Sequence, residues 1–526
     1  MKERFQVKRI ILRKDAYYDS VFLMLISSDI KKMDGISEAV VAMGTEMNLD
    51  LLNDMGMSGP ELEGATANDL IIAVESADQQ TLDAAEQTVD DKLKEKAADS
   101  EGSSWRPGSA AAAYEALPDS NMVLISVPGQ YAAREARKAL QADKHVMMFS
   151  DNVSLEDEVA LKKLAKQRGL LMMGADCGTA IINGKPLCFA NVVPRGPVGI
   201  ISAAGTGLQE VSTLVARAGS GVSQGIGTGG RDLKSEDVGG ITTLMAAEAL
   251  AADPQTTVIA VISKPPAPSV ADTVIATLKQ AGKPVVVHLI GITPEKRIDG
   301  NINYAANLEE VARMSAALAA GDSYHARVFD VDDDAIDSIV ERETEGISSQ
   351  QKYLRGYFTG GTLTDESVFI LDSQLGGIHS LDPVDPANQL TDPQKSEGHT
   401  IVDLGEDVFT VGRPHPMIDP SIRTERMDSE AGDPEVAVVL LDCVIGYGSH
   451  ADPAGAMVPS IRRMKAAGEK RGGYLAVVAS VTGTEGDVQN LSTQRKTLES
   501  AGVVVMPSNH QAAQLAGRIM AKLAAR

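Results

Sequence analysis

The chain has 526 residues, enough for roughly three or four domains, with 43% hydrophobic and 23% charged residues and a formal net charge of −23. That charge excludes nucleic acid and anionic membrane surfaces as main partners, because phosphate contacts need clustered Lys and Arg, and the 4% aromatic content excludes a base-stacking platform. Cys177, Cys188 and Cys443 form neither a disulfide framework nor a C-x-x-C pair, and no residues carry metal-ligand spacing. No apolar run reaches the length of a membrane span, and the first residues, MKERFQVKRI, lack a signal peptide's apolar stretch, so a cytoplasmic protein without a metal site is expected.

Strand and helix alternate along the chain. Residues 6–13 read as a strand. Asp19 and Ser20 open the apolar-periodic helix VFLMLISSDIKKM. ISEAVVAMG and DLIIAVES are strands, MNLDLLNDMG is a short helix and QTLDAAEQTVDDKLKEK a solvated helix. Together they predict a small α/β domain over 1–97. Residues 98–109, rich in Ser, Gly and Pro, read as a linker. Over 110–193 the runs NMVLISVPG, HVMMFSD and LLMMGADC are continuous apolar strands between helical segments, the pattern of a parallel sheet covered on both faces. A second α/β run covers 194–320, with strands VGIISAAG, GVSQGIG, TVIAVIS and PVVVHLIG. The polar stretch 321–350 reads as a linker plus a surface helix. A third run covers 351–526, with strands KYLRGYFT, EVAVVLLDCVIG, YLAVVAS and GVVVMPS. A long irregular insertion is expected at 373–433. The fold class is multi-domain α/β: a Rossmann-like domain, flavodoxin-like domains with parallel sheets, and the small N-terminal domain.

Ligands of parallel sheets bind beyond the carboxyl ends of strands. Gly205, Thr206 and Gly207 follow the strand VGIIS and open directly into a helix. Their backbone N–H groups, with the Thr206 hydroxyl, suit an anion. Gly225 to Gly230 fit G-x-G-x-x-G, but RDLKSEDVGG follows instead of an immediate helix, so a flexible loop outweighs dinucleotide binding. Gly229, Gly230 and Arg231 remain anion-binding candidates. Gly360, Gly361 and Thr362 repeat the strand, small turn and helix pattern, and two such cradles predict one shared cleft. His450 in GYGSHADP and His415 in GRPHPMIDP lie on loops beside Asp and Gly, as acid/base candidates or loop caps, with Arg413 nearby. His288, mid-strand, reads as a core histidine, and Cys177 as a small buried residue.

GIISAAGTGLQE, GIGTGGRDL and GADCGTAIINGK resemble the α subunit of succinyl-CoA ligase. With YYDSVFLMLIS, AMGTEMN, ISVPGQYAAREA, FSDNVSLEDE, SKPPAP, GGTL, GRPHPMIDP and GYGSHADPAG, the whole chain is similar to the FdrA family of acyl-CoA synthetase-like proteins. The ligase resemblance implies a glycine-rich CoA-phosphate loop at the start and a phosphorylated histidine after PVVVHLIG. Residues 1–97 occupy the first position, and GITPEKRIDGNIN holds no histidine at the second. No ATP-grasp domain is recognisable. The FdrA resemblance implies one subunit of an oxamate-type carbamoyltransferase of allantoin catabolism, working with partner subunits encoded nearby in a homo- or hetero-oligomer. On that reading carbamoyl phosphate, a small anionic substrate, lies on Gly205, Thr206 and Gly207. Arg231 or Arg413 neutralises it, and His415 or His450 moves protons. The alternatives are an acyl-CoA synthetase subunit using CoA, and a non-catalytic scaffold.

Overall fold

The computed structural model describes residues 7–100, 107–292, 294–410 and 413–526. Part of the expected linker, residues 101–106 with Trp105, lies outside the described residues, as does Gly412. The chain divides into two compact units: residues 1–108 with 407–415, and residues 109–406 with 416–526. Among the described residues no helix is long and apolar enough to cross a membrane.

The first unit runs β1 (Val7–Arg13), α1 (Ser20–Lys31), β2 (Ile36–Met43), α2 (Glu46–Asp54), β3 (Leu70–Ser76) and α3 (Gln79–Ser100). Its antiparallel sheet has the order β1-β3-β2, with Arg9 opposite Val74. Alternation along β3 sends Leu70, Ile72 and Val74 to the face that packs with Leu23, Ile26 and Val89. Ile71 and Ala73 go to the other face, with Leu52 and Met57. Asp19 caps α1 by accepting from the Phe22 N–H.

The second unit holds three sheets. The smallest, β4 (Met122–Ile125), β5 (His145–Met148) and β6 (Met172–Met173), is parallel. α4 (Ala110–Ala116) precedes it, and α5 (Gly129–Gln141) and α6 (Leu155–Gln167) are its crossovers. The eight-stranded sheet contains β7 (Thr179–Ile182), β8 (Lys185–Cys188), β9 (Arg195–Ser202), β10 (Val222–Gly227), β11 (Val258–Ser263), β12 (Val285–Leu289), β13 (Ile298–Asp299) and β14 (Ile302–Tyr304). Its order is β13-β14-β12-β11-β9-β10-β7-β8, with a parallel centre and antiparallel edges. α7 (Gly205–Arg217), the one-turn α8 (Arg231–Lys234), α9 (Ile241–Ala252), α10 (Pro268–Leu278) and α11 (Leu308–Ala320) connect or follow these strands, and α12 (Asp333–Thr344) lies in the 321–350 stretch.

The six-stranded sheet is parallel throughout, in the order β16-β17-β15-β18-β19-β20. Its strands are β15 (Tyr353–Phe358), β16 (Ile378–His379), β17 (His399–Asp403), β18 (Val436–Val444), β19 (Ala476–Thr482) and β20 (Val504–Met506). Its helices are α13 (Gly361–Leu375), α15 (Ser421–Glu430), α16 (Pro453–Lys470), α17 (Leu491–Ser500) and α18 (Asn509–Ala524), while the one-turn α14 (Asp407–Thr410) falls in the segment that groups with the first unit. The expected irregular insertion 373–433 is corrected here. It supplies β17, paired with β15 from Arg355–Thr400 to Phe358–Asp403, and the helix α15.

One apolar core joins the two large sheets, from Ile181 and Val211 to Val478 and Ile519. α7 is buried continuously from Gly207 to Val215. A helix buried all round must satisfy its polar groups internally. Accordingly Gln209 Nε2 donates to Asn191 Oδ1 at 3.0 Å, and Glu210 Oε1 accepts from the Asn509 N–H at 3.0 Å. On α13, Leu363, Val368 and Leu371 are buried, each contributing about 1.5–3 kcal/mol. These contacts fix the starts of α7 and α13.

Candidate functional site at two paired helix starts

In each large sheet the chain switches sides about a central strand. β9 passes through α7 to β10 on one side, and the chain then returns to β11 on the other. β15 passes through α13 to the 378–403 strands on one side, and β18 lies on the other. Such switch points leave crevices at the carboxyl ends of β9/β11 and β15/β18.

The two turns at these crevices meet. A Cβ on Gly207 would stand 3.0 Å from Thr362 Cγ2, and a Cβ on Gly360 would stand 2.9 Å from Thr206 Cγ2. Each threonine therefore lies on a glycine of the opposite turn, a fit that a side chain at either glycine would break. Neither helix has a capping side chain: Ala204 and Gly360 occupy the N-cap positions of α7 and α13. By contrast, Ser154, Asn307 and Ser508 cap α6, α11 and α18. An uncapped helix start presents free N–H groups and the positive end of the helix dipole. Thr362 is 1% exposed, and its Oγ1 has no hydrogen-bond partner.

Charged groups that sequence reasoning missed surround this junction. Lys264 follows β11 directly, and its Nζ lies 3.1 Å from Asp365 Oδ2 on α13. A Cβ on Gly361 would stand 2.9 Å from Asp403 Oδ2 and 3.1 Å from Lys264 Nζ. Burial pushes the Asp403 carboxyl up to about 7; Glu406 adds to the rise and Lys264 opposes it. Burial also works against the charge of Lys264, but Asp365, Asp403 and Glu406 together hold its ammonium above the usual lysine range. Asp442, near the end of β18, accepts from the Thr359 N–H at 3.0 Å and from Arg423 Nη1 at 2.7 Å. The signals were local: a lysine directly after VIAVIS, an aspartate ending TIVD, and a lone aspartate inside the apolar run VVLLDCV.

The other expected site residues fall elsewhere. Gly229 has φ +85°, and a Cβ there would stand 2.2 Å from the Ala175 carbonyl, so its bareness lets two loops pack. Nothing lies within 4 Å of a Cβ on Gly230. Arg231 pairs with Glu158 at 2.7 Å and donates to the Val153 carbonyl at 2.8 Å, on the side of α6. Beside it, buried Lys162 bridges Glu158 at 3.1 Å and Asp232 at 2.7 Å. The GIGTGGRDL segment is thus tied to α6 by charge. His450 Nδ1 accepts from the Asp452 N–H at 3.1 Å, and the His450 N–H donates to the Met417 carbonyl at 2.7 Å. Arg413 and His415 belong to the segment grouped with the first unit. His288 is buried with Nδ1 3.1 Å from the Ala305 carbonyl, and burial lowers its pKa to about 4. Burial pushes the Cys177 thiol up to about 12.

Residues 357–519, which begin at the end of β15 and include α13, match the CoA-ligase family. The chain is 30% identical over 190 residues to succinate–CoA ligase [ADP-forming] subunit alpha-2, mitochondrial, of Trichomonas vaginalis, covering 34% of this chain and 60% of that subunit. A dinucleotide-forming acetyl-coenzyme A synthetase 1 from Ca. Korarchaeum cryptofilum superposes with a TM-score of 0.28 at 15% identity, covering 77% of this chain and 83% of that one. The sequence matches make parts of this chain similar to CoA ligases and to the succinate–CoA ligase α subunit. The uncharacterized protein YahF of Escherichia coli K12 is 44% identical over 520 residues, 98% of this chain and 99% of that one. The chain belongs to the YahF family.

Residues 5–107 match the family described as AllF, heavy metal-associated domain. Residues 1–108 contain neither cysteine nor histidine. Among the described residues no group of three or more His, Cys, Asp or Glu is placed to hold a metal ion.

Proposed function

We propose that this chain is a subunit of an acyl-CoA synthetase-like enzyme that holds the phosphate end of an acyl phosphate at the paired starts of α7 and α13. One observation carries the reading: two uncapped helices, one from each large sheet, meet through reciprocal glycine–threonine contacts. A net charge of −23 repels anions at long range, so local N–H groups must do the binding. The N–H groups of Gly205 to Gly207 and of Gly361 and Thr362 orient the phosphate, and the threonine hydroxyls donate to its oxygens. As the acyl carbon is attacked, the bridging oxygen gains charge, and the same donors stabilise it.

CoA fits the carboxyl end of the β4-β5-β6 sheet. There α5 starts at an N-cap, Pro128, that makes no side-chain bond. Gly129 passes beneath the Asp151 and Asn152 carbonyls, where a Cβ would stand at 2.3 and 2.4 Å. Tyr131, two residues on, is 48% exposed, a flat apolar surface for a purine. When bound, CoA supplies the thiol that takes the acyl group. Carbamoyl transfer, expected from the FdrA resemblance, has no support in the matches, which favour the CoA-ligase reading. Carbamoyl phosphate carries the same phosphate end and serves as the competing ligand.

The test incubates the full-length chain with acetyl phosphate or succinyl phosphate and CoA, with carbamoyl phosphate as a parallel arm. Thioester formation with phosphate release is expected. Binding of neither CoA nor any acyl phosphate by calorimetry contradicts the proposal. Turnover of carbamoyl phosphate alone would replace it with the carbamoyl reading.

A further inference from the structure

We propose that Lys264 is the ligand-binding cation of the paired helix starts, and that Asp403 takes up a proton as a tetrahedral oxyanion of the phosphate class arrives. This rests on the paired-start site proposed above. The lysine belongs to one large sheet, yet its side chain, 28% exposed, ends at the first residue of a helix of the other. Lys264 Nζ and Asp403 Oδ2 flank Gly361, at 3.1 and 2.9 Å from where a Cβ would be. Any side chain at Gly361 would separate them from the helix N–H groups. An independent feature points to a ligand: the Thr362 hydroxyl, one residue further, is buried and unpartnered, 3.4 Å from where a Cβ on Gly207 in the first turn of α7 would be.

Without an anion, Lys264 is shared among carboxylates. Asp365 faces it from α13, Asp403 from the end of β17 and Glu406 from the following loop. Asp403 in turn faces Glu406, Lys264 and, from β18, Asp442, whose charge Arg423 opposes. An arriving dianion attracts the lysine and repels the carboxylates. Burial already places Asp403 close to titration near neutral pH, so it is the group that protonates when the negative charge arrives. Asp365 competes with the ligand for the same ammonium.

The experiment is calorimetry on the full-length chain with sulfate, which carries no proton that titrates near neutrality, and with acetyl phosphate, in buffers of different ionisation enthalpy. The wild type is expected to bind with net proton uptake, and Asp403→Asn to bind without it. Lys264→Met is expected to weaken binding about tenfold or more, with Lys264→Arg recovering much of it. Asp365→Asn removes the competitor and is expected to tighten binding, a change of sign that loss of folding cannot mimic. Wild-type binding without proton uptake, or unchanged affinity in Lys264→Met, or weaker affinity in Asp365→Asn, would overturn the assignment and leave the paired-start site standing. Absence of wild-type binding by either anion would overturn the site reading, and this assignment with it.

Discussion

Glu366 links the first turns of α13 to the start of α18 and offers a quantitative test of that packing. Its Oε1 accepts from the Leu308 N–H at 2.8 Å and its Oε2 from Asn509 Nδ2 at 2.8 Å. Glu210 accepts from the Asn509 N–H, and Glu309 from Ser508 and Gln511, so three buried carboxylates converge on one helix start. Burial pushes the Glu366 carboxyl from 4.5 up to about 8, against the pull of both hydrogen bonds, with Glu210 and Glu309 adding repulsion. Between those values the folded state keeps a proton that the unfolded state has lost. Stability is therefore full below the unfolded value and falls as pH rises, by about 1.4 kcal/mol per pH unit for this group. Over the whole interval from 4.5 to about 8 the loss is on the order of 5 kcal/mol. Glu366→Gln removes that titration. Its amide sets an N–H against a donor, which costs about 1 kcal/mol at low pH. Urea unfolding across this pH range is expected to give a steep fall for the wild type, a shallower one for Glu366→Gln, and curves that cross. Equal slopes for the two proteins would refute the reasoning.

Three further outcomes follow from particular contacts. Gly360→Ala places a methyl 2.9–3.1 Å from three atoms of Thr206, and is expected to cost about 1–3 kcal/mol by overpacking, read as a lower Tm together with weaker anion binding. Lys162→Met leaves the Glu158 and Asp232 carboxyls fully buried without their shared cation, at an expected cost of about 3–5 kcal/mol in denaturant unfolding. Cys177, buried with its thiol pushed up to about 12, is expected to resist alkylation in the folded chain and to react on unfolding, which mass spectrometry reads directly.

The parallel strands were legible because strands buried on both faces are plain apolar runs, such as VIAVIS and VVLLDCV. The turns at 205–207 and 360–362 were legible because Gly and Thr follow those runs directly. Other elements were hidden for physical reasons. β17 offers only the short run TIV between polar neighbours, and pairing with β15 makes it a strand. The β7/β8 hairpin turns on Asn183 and Gly184, with φ of 51° and 73°, an Asn-Gly signal present in INGK. Arg231 read as an anion-binding candidate because its partner Glu158 lies far away in sequence. Lys264 and Asp403 are separated by more than a hundred residues, and only the meeting of two sheets brings both to Gly361.

The central claim is that one anion site exists where α7 and α13 begin. A crystal structure of the full-length chain soaked with tungstate, a heavy tetrahedral oxyanion, tests it most directly. The account predicts anomalous density against the N–H groups of Gly205 to Gly207 and of Gly361 and Thr362, within reach of Lys264. Strong tungstate density elsewhere, with nothing at these two helix starts, would contradict it.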